Sequence, residues 1–95
     1  MAKFYKIYEI LDNIEEELGC YPEYFVGAFV SEESAKELSK YIDISDCNST
    51  KIEYAEITEQ DIKDIEEFGL QGFDEEALKE ICRLMKEFKN EDLVK

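Results

Sequence analysis

The apolar positions of this chain fall into short runs and helical stripes separated by polar segments, and that pattern predicts six elements. KFYKIYEI, residues 3–10, is rich in aromatic and β-branched side chains and reads as a strand, although Phe4, Ile7, Leu11, Ile14 and Leu18 also fit a helical spacing. The reading adopted is a strand to about Ile10, then a helical turn through NIEEEL that Gly19 stops and Pro22 keeps from continuing. EYFVGAFV, residues 23–30, is a short apolar run bounded by Pro22 and Ser31, the clearest strand of the chain.

Ser31 suits the N-cap of a helix over EESAKELSKYI, whose first turn carries Glu32 and Glu33 where the helix dipole favours negative charge. Its predicted inward stripe is Ala35, Leu38, Tyr41 and Ile42. DISDCNST, residues 43–50, reads as a loop, and KIEYAEI, residues 51–57, as a third strand. Thr58 with Asp61 three residues on resembles a capping box, opening a short helix with Ile62, Ile65 and Phe68 inward and Gly69 at its end. After LQGF, Asp74 can cap a last helix from residue 75 to about 89, with Leu78, Ile81, Cys82, Met85 and Phe88 on one face; residues 90–95 are expected to fray.

The predicted order is strand, strand, helix, strand, helix, helix: a single α+β domain with a small three-stranded mixed sheet packed against its helices. The passage from residue 24 to 57 should be a right-handed crossover between two parallel strands, with the N-terminal strand added alongside. The stretch FVGAFVSEESAKELSKYI, a strand ending in G-x-F-x-S-E-E-x-A-K-x-L, resembles a recurrent piece of small uncharacterised bacterial and phage proteins. It covers roughly a fifth of the chain and implies the local strand-then-capped-helix fold, with no functional residues.

Composition sharpens this picture. Apolar residues make up 44% of the 95, too many for a disordered chain despite 38% charged residues. The formal charge is −14, and with no histidine it should hardly move between about pH 6 and 8. Such a chain is repelled by phosphate backbones and anionic lipid, so basic proteins or cations are its natural partners. Cys20, Cys47 and Cys82 are odd in number and outside any C-x-x-C pair, which argues against a disulfide framework or a zinc site and suits a reducing cytoplasm. MAKFYKIYEIL lacks the apolar core of a signal peptide, no apolar stretch reaches a membrane-spanning length, and the sequon Asn48-Ser49-Thr50 therefore carries little weight.

Candidate chemistry is sparse. Without histidine most nucleophile and base arrangements are excluded, and among 25 acids any carboxylate pair can be nominated, so no catalytic residue is assigned and an enzyme is not expected. Gly19, Gly27, Gly69 and Gly72 form no phosphate-binding loop, and no cofactor is expected. The stretch from Asp43 to Tyr54 approaches a calcium loop but has Asn48 at the glycine position and Tyr54 at the terminal glutamate position, so no metal is assigned. Tyr5, Tyr8, Tyr24, Phe25, Phe29 and Tyr54 lack the flanking cations of a nucleic-acid platform and read as core and rim.

The acidic segment remains. Residues 53–76 hold ten acids and one lysine, whereas residues 77–95 hold five bases and four acids. On the predicted helix 59–68 the net charge is −4 over roughly 15 Å, about the charge spacing of a single DNA strand. Glu59, Asp64 and Glu67 fall near one outward face, with Asp61 and Glu66 flanking. Such a run is often only a solvated face. The functional expectation is a small non-catalytic binding protein whose Glu53, Glu56, Glu59, Asp61, Asp64, Glu66, Glu67, Asp74 and Glu75 dock onto a basic, nucleic-acid-binding groove of a partner protein. In size, acidity and lack of motifs it resembles phage-encoded inhibitors of bacterial defence systems. Charge reversal at Asp61, Asp64, Glu66 and Glu67 is expected to leave the fold intact. The alternative is a structural or regulatory homo-oligomer joined through Leu78, Ile81, Met85 and Phe88.

Overall fold

The computed structural model describes residues 2–10, 23–45 and 49–94. The turn expected through residues 13–18, its stop at Gly19, and Cys20, Cys47 and Asn48 lie outside the described residues. The elements are β1 (Lys3–Ile10), β2 (Glu23–Phe29), α1 (Glu32–Ser45), β3 (Ser49–Glu56), α2 (Glu59–Phe68), β4 (Gly72–Phe73) and α3 (Glu75–Val94). The fold is α+β, but its sheet has four strands, in the order β3-β1-β2-β4, rather than three. The added strand is two residues long, too short to show any alternation in LQGF, and pairs parallel with β2 through Gly27 and Ala28.

β1 is antiparallel to both β2 and β3, so these two run in the same direction with β1 between them. The β2-α1-β3 crossover therefore spans a strand instead of joining neighbours. β1 suits the centre because both of its faces are covered: Phe4 and Lys6 are buried on one, Ile7 and Glu9 on the other. α1 packs over the second face, where Ile7, Val26, Ala35 and Ile42 form a core with Tyr5, Leu38, Phe29 and Ile52 around it. α2 and α3 lie over the first face on a larger core of Phe4, Phe25, Ala28, Ile62, Ile81 and Leu84.

A bulge lets β2 serve both cores. Ile7 pairs with Gly27 and Tyr8 with Phe25, leaving Val26 as the extra residue. Phe25 and Ala28, three positions apart, thereby reach the same core, and Val26 goes to the other. Gly27 is required where β2, β4 and α1 meet, since a Cβ there would lie 2.6 Å from the Gly72 carbonyl oxygen and 2.9 Å from Leu38.

The predicted caps are in place. Ser31 Oγ accepts from the Ser34 N–H, Thr58 and Asp61 form the reciprocal capping box of α2, and Asp74 Oδ1 accepts from the Ala77 N–H at the start of α3. Gly69, at φ +87°, ends α2 and donates to the Ile65 carbonyl.

Three inward stripes need correction. Tyr41 is 64% exposed, because α1 turns Leu38, Ser39 and Ile42 to the sheet and leaves position 41 at the side. Phe68 is exposed at the end of α2 and stacks on Tyr24, ring centroids 4.4 Å apart. On α3 the buried line is Ala77, Ile81 and Leu84, with Met85 and Phe88 beside it, while Cys82 faces solvent. With Ala77, Ile81 and Leu84 facing the sheet, helical phase leaves Leu78 half-buried at the side and Cys82 outside.

Candidate functional site

The acidic helix α2 holds the residues on which the sequence-based reading turns. Its apolar positions, Ile62 and Ile65, set which side meets the sheet, and at 3.6 residues per turn Asp61 and Asp64 share that side. Both are buried, at 2% and 8% exposure, so the outward face expected to include Asp64, flanked by Asp61, does not exist in that form.

Three donors hold the Asp61 carboxylate. Lys6 Nζ lies 2.9 Å from Oδ2, the Tyr8 hydroxyl donates to Oδ1 at 2.7 Å, and the Thr58 N–H donates to Oδ2 at 3.0 Å. Lys6 also donates to the Glu56 carbonyl at 2.8 Å, and its ammonium sits 5.4 Å from the centre of the Tyr8 ring. The Asp61 N–H in turn donates to Thr58 Oγ1. This is a buried, hydrogen-bonded ion pair that ties β1, the end of β3 and the start of α2 together. Burial first, then the bond to Asp61 and the negative charge of Asp61, push the Tyr8 phenol far above the usual tyrosine range.

Asp64 has a different task. Its Oδ2 accepts from the Phe25 N–H at 3.0 Å and its Oδ1 from Gln60 at 3.1 Å. β4 is too short to pair with the whole outer edge of β2, and side chains complete it: Asp64 at Phe25, and Asp74, whose Oδ2 accepts from the Val30 N–H at 2.7 Å. Asp61, Asp64 and Asp74 are therefore committed to holding the fold.

The other expected docking residues face water. Glu53 and Glu56 are exposed on β3, Glu59, Glu66 and Glu67 on the solvent side of α2, and Glu75 at the start of α3. Glu53 lies 4.0 Å from Lys51 and Glu75 3.5 Å from Lys79. Glu59, Glu66 and Glu67 enter no ion pair among the described residues. The solvent side of α2 thus carries three carboxylates and Lys63, a lower charge density than the whole helix suggests.

One face of α3 is richer in bases than α2. Leu78, Lys79, Cys82, Arg83, Lys86 and Glu87 line a shallow surface groove, and Arg83 bridges Glu80 and Glu87. Of the residues expected to join two copies, Ile81 is 2% exposed and belongs to this chain's own core, with Met85 and Phe88 packed against it. Among the described residues no three acidic or thiol side chains gather as a metal site requires, and no helix is long and apolar enough to cross a membrane.

Sequence reasoning missed Lys6 and Glu9. Both were visible as charged residues inside an aromatic and β-branched strand, where alternation places Lys6 between Phe4 and Tyr8 on one face and Glu9 beyond Ile7 on the other. Glu9 is 2% exposed; Oε2 accepts from the Tyr24 hydroxyl and Oε1 has no hydrogen-bond partner among the described residues. Comparison of the chain with protein-family models, with curated proteins and with solved structures yields no match.

Proposed function

We propose that this is a small non-catalytic binding protein that presents exposed carboxylates to a basic, nucleic-acid-binding groove of a partner protein, as an inhibitor of the phage anti-defence type would. What supports the reading is the state of α2: Glu59, Glu66 and Glu67 face solvent and enter no ion pair among the described residues. Glu53, Glu56 and Glu75 extend the exposed set, whereas Asp61, Asp64 and Asp74 contribute by fixing the backbone that carries it. A charge of −14 accelerates encounter with a cationic surface, and the complex weakens as salt screens it.

The test compares two charge-reversed proteins of equal net charge. In one, Glu59, Glu66 and Glu67 become lysine; in the other, the exposed Glu33, Glu37 and Asp43 of α1 become lysine. Immobilised wild type should capture nucleic-acid-binding proteins from a bacterial lysate at low salt and release them at high salt. The α2 variant should lose this capture and the α1 variant keep it. Equal loss in both would reduce the effect to overall charge and defeat the reading.

A further inference from the structure

β3 closes one side of the sheet. It pairs with β1 over eight consecutive positions, Ser49 to Glu56, and its other side meets no strand among the described residues. The opposite margin of the sheet is treated differently: there β4, Gln71, Asp64 and Asp74 cover the β2 backbone. Edge strands normally carry proline, a bulge, an overlying segment or charged side chains that discourage further pairing, and of these β3 carries charges of both signs, in Lys51 and Glu53. β3 has no proline, and its register with β1 is unbroken. Alternate backbone N–H and C=O groups along it point away from β1, in the geometry a further antiparallel strand accepts.

The side chains of β3 choose the occupant. Lys51 and Glu53 lie on the same face, two residues apart, and both are about half exposed, at 42% and 50% of their side-chain area; within the chain Lys51 pairs with Glu23 at 2.8 Å, leaving Glu53 at 4.0 Å as the less satisfied of the two. A second β3 running antiparallel about a two-fold axis must set residues of like face opposite each other. With the axis at Ile52, Lys51 of each copy faces Glu53 of the other, and Thr50 faces Tyr54, whose ring is 56% exposed and leans on Tyr5. With the axis one residue earlier, at Lys51, lysine faces lysine; one residue later, at Glu53, glutamate faces glutamate. Opposite charges directly across a ladder stabilise it and like charges destabilise it.

We propose that the outer edge of β3 is a self-recognition surface, on which a second copy of this chain pairs antiparallel about Ile52 and joins the two sheets into one. The contact is isologous, with the Lys51 and Glu53 pair occurring twice, and it hides both open edges at once. Because each copy carries −14, their overall repulsion opposes pairing, so added salt strengthens this contact. That sign is opposite to the salt response of a complex with a basic partner and separates the two.

Sedimentation equilibrium tests it. Wild type should show a concentration-dependent dimer that tightens from low to moderate salt. K51E and E53K should each weaken it by about tenfold, since each turns two favourable cross-strand pairs into two like-charge pairs. The double variant K51E/E53K restores opposite charges in the exchanged sense and should recover the wild-type dissociation constant. Both positions are exposed, and far-UV circular dichroism verifies that each variant is folded. A monomer at every concentration and salt would overturn the proposal. So would a dimer indifferent to all three variants, which would put the contact elsewhere, for instance at the Leu78 and Cys82 groove of α3.

Discussion

The two sides of α2 carry the same kind of group in opposite states. Asp61 and Asp64, facing the sheet, are surrounded by donors from three other segments; Glu59, Glu66 and Glu67, facing water, are held by none of the described cations. The chain separates them by side-chain length as well as by phase. Both inward carboxylates are aspartates, short enough to bond a backbone N–H at close range, and the outward ones are glutamates, whose longer stems cost more entropy to fix. A count of acids along the helix merges a structural set with a surface set, and only the second is available to a partner.

Removing the cation from the inward side breaks that contrast most severely. Lys6→Met leaves the Asp61 carboxylate buried among Tyr8 and Thr58 with no compensating charge, which should cost about 3–5 kcal/mol. For a domain whose whole stability is of order 5–15 kcal/mol, that approaches unfolding. The measurement is the urea midpoint at unchanged slope. Adding Asp61→Asn should return much of the loss, since the neutral amide no longer needs a cation and still accepts from the Thr58 N–H. A Lys6→Met protein within about 1 kcal/mol of wild type would mean that the pair is not buried as described. By the same argument Asp61→Lys or Asp64→Lys reports on folding, so charge reversal at these two positions cannot test docking.

What was legible in the sequence follows from where local rules suffice. The caps at Ser31, Thr58 and Asp74 act within three or four residues and were readable, as was the α+β class. The end of α1 was placed early, because DIS, residues 43–45, continues the helix through residues whose composition resembles a loop. β4 carries too few residues for a period and exists because Gly72 can lie against Gly27 and Leu38. The position of β1 between β2 and β3 depends on pairing between distant segments. The burial of Asp61 and Asp64 could have been inferred from Ile62 and Ile65 alone, since those residues fix the inward arc of the helix. The acidic run drew attention to its charge, and its apolar phase determined which of its charges reach water.

Tyr8 allows the inward set to be titrated without removing its ions. Tyr8→Phe deletes one donor to Asp61 and should cost about 1.5–3 kcal/mol at neutral pH, the range for a hydrogen bond to a charged group. Because the folded protein holds this phenol far above its ordinary pKa of about 10, the unfolded chain loses that proton first as the solution becomes alkaline. The unfolded state then binds fewer protons than the folded state, so stability falls with rising pH from about 10 upward. Tyr8→Phe removes this contribution, and the gap between variant and wild type should narrow above pH 10 when urea midpoints are followed across the alkaline range. A gap constant with pH would show the phenol ionising as freely in the fold as outside it.

The smallest effects belong to the outward set, and their signs differ along one helix. Glu59 occupies the first turn of α2, where the partial positive charge of the N-terminus favours a carboxylate, so Glu59→Gln should lower stability by a few tenths of a kcal/mol. Glu66 and Glu67 lie in the last turn, which holds no basic residue and where the dipole disfavours negative charge. Glu66→Gln and Glu67→Gln should each be neutral or stabilising, by about 0.3 kcal/mol. All three changes should shrink in high salt, and the triple variant should lie within about 0.5 kcal/mol of wild type. Differential scanning calorimetry at low and high salt checks this. A large loss from any of these substitutions would show that the outward glutamates are also structural, which would erase the difference between the two sides of α2 and leave the protein no free carboxylates there to offer a partner.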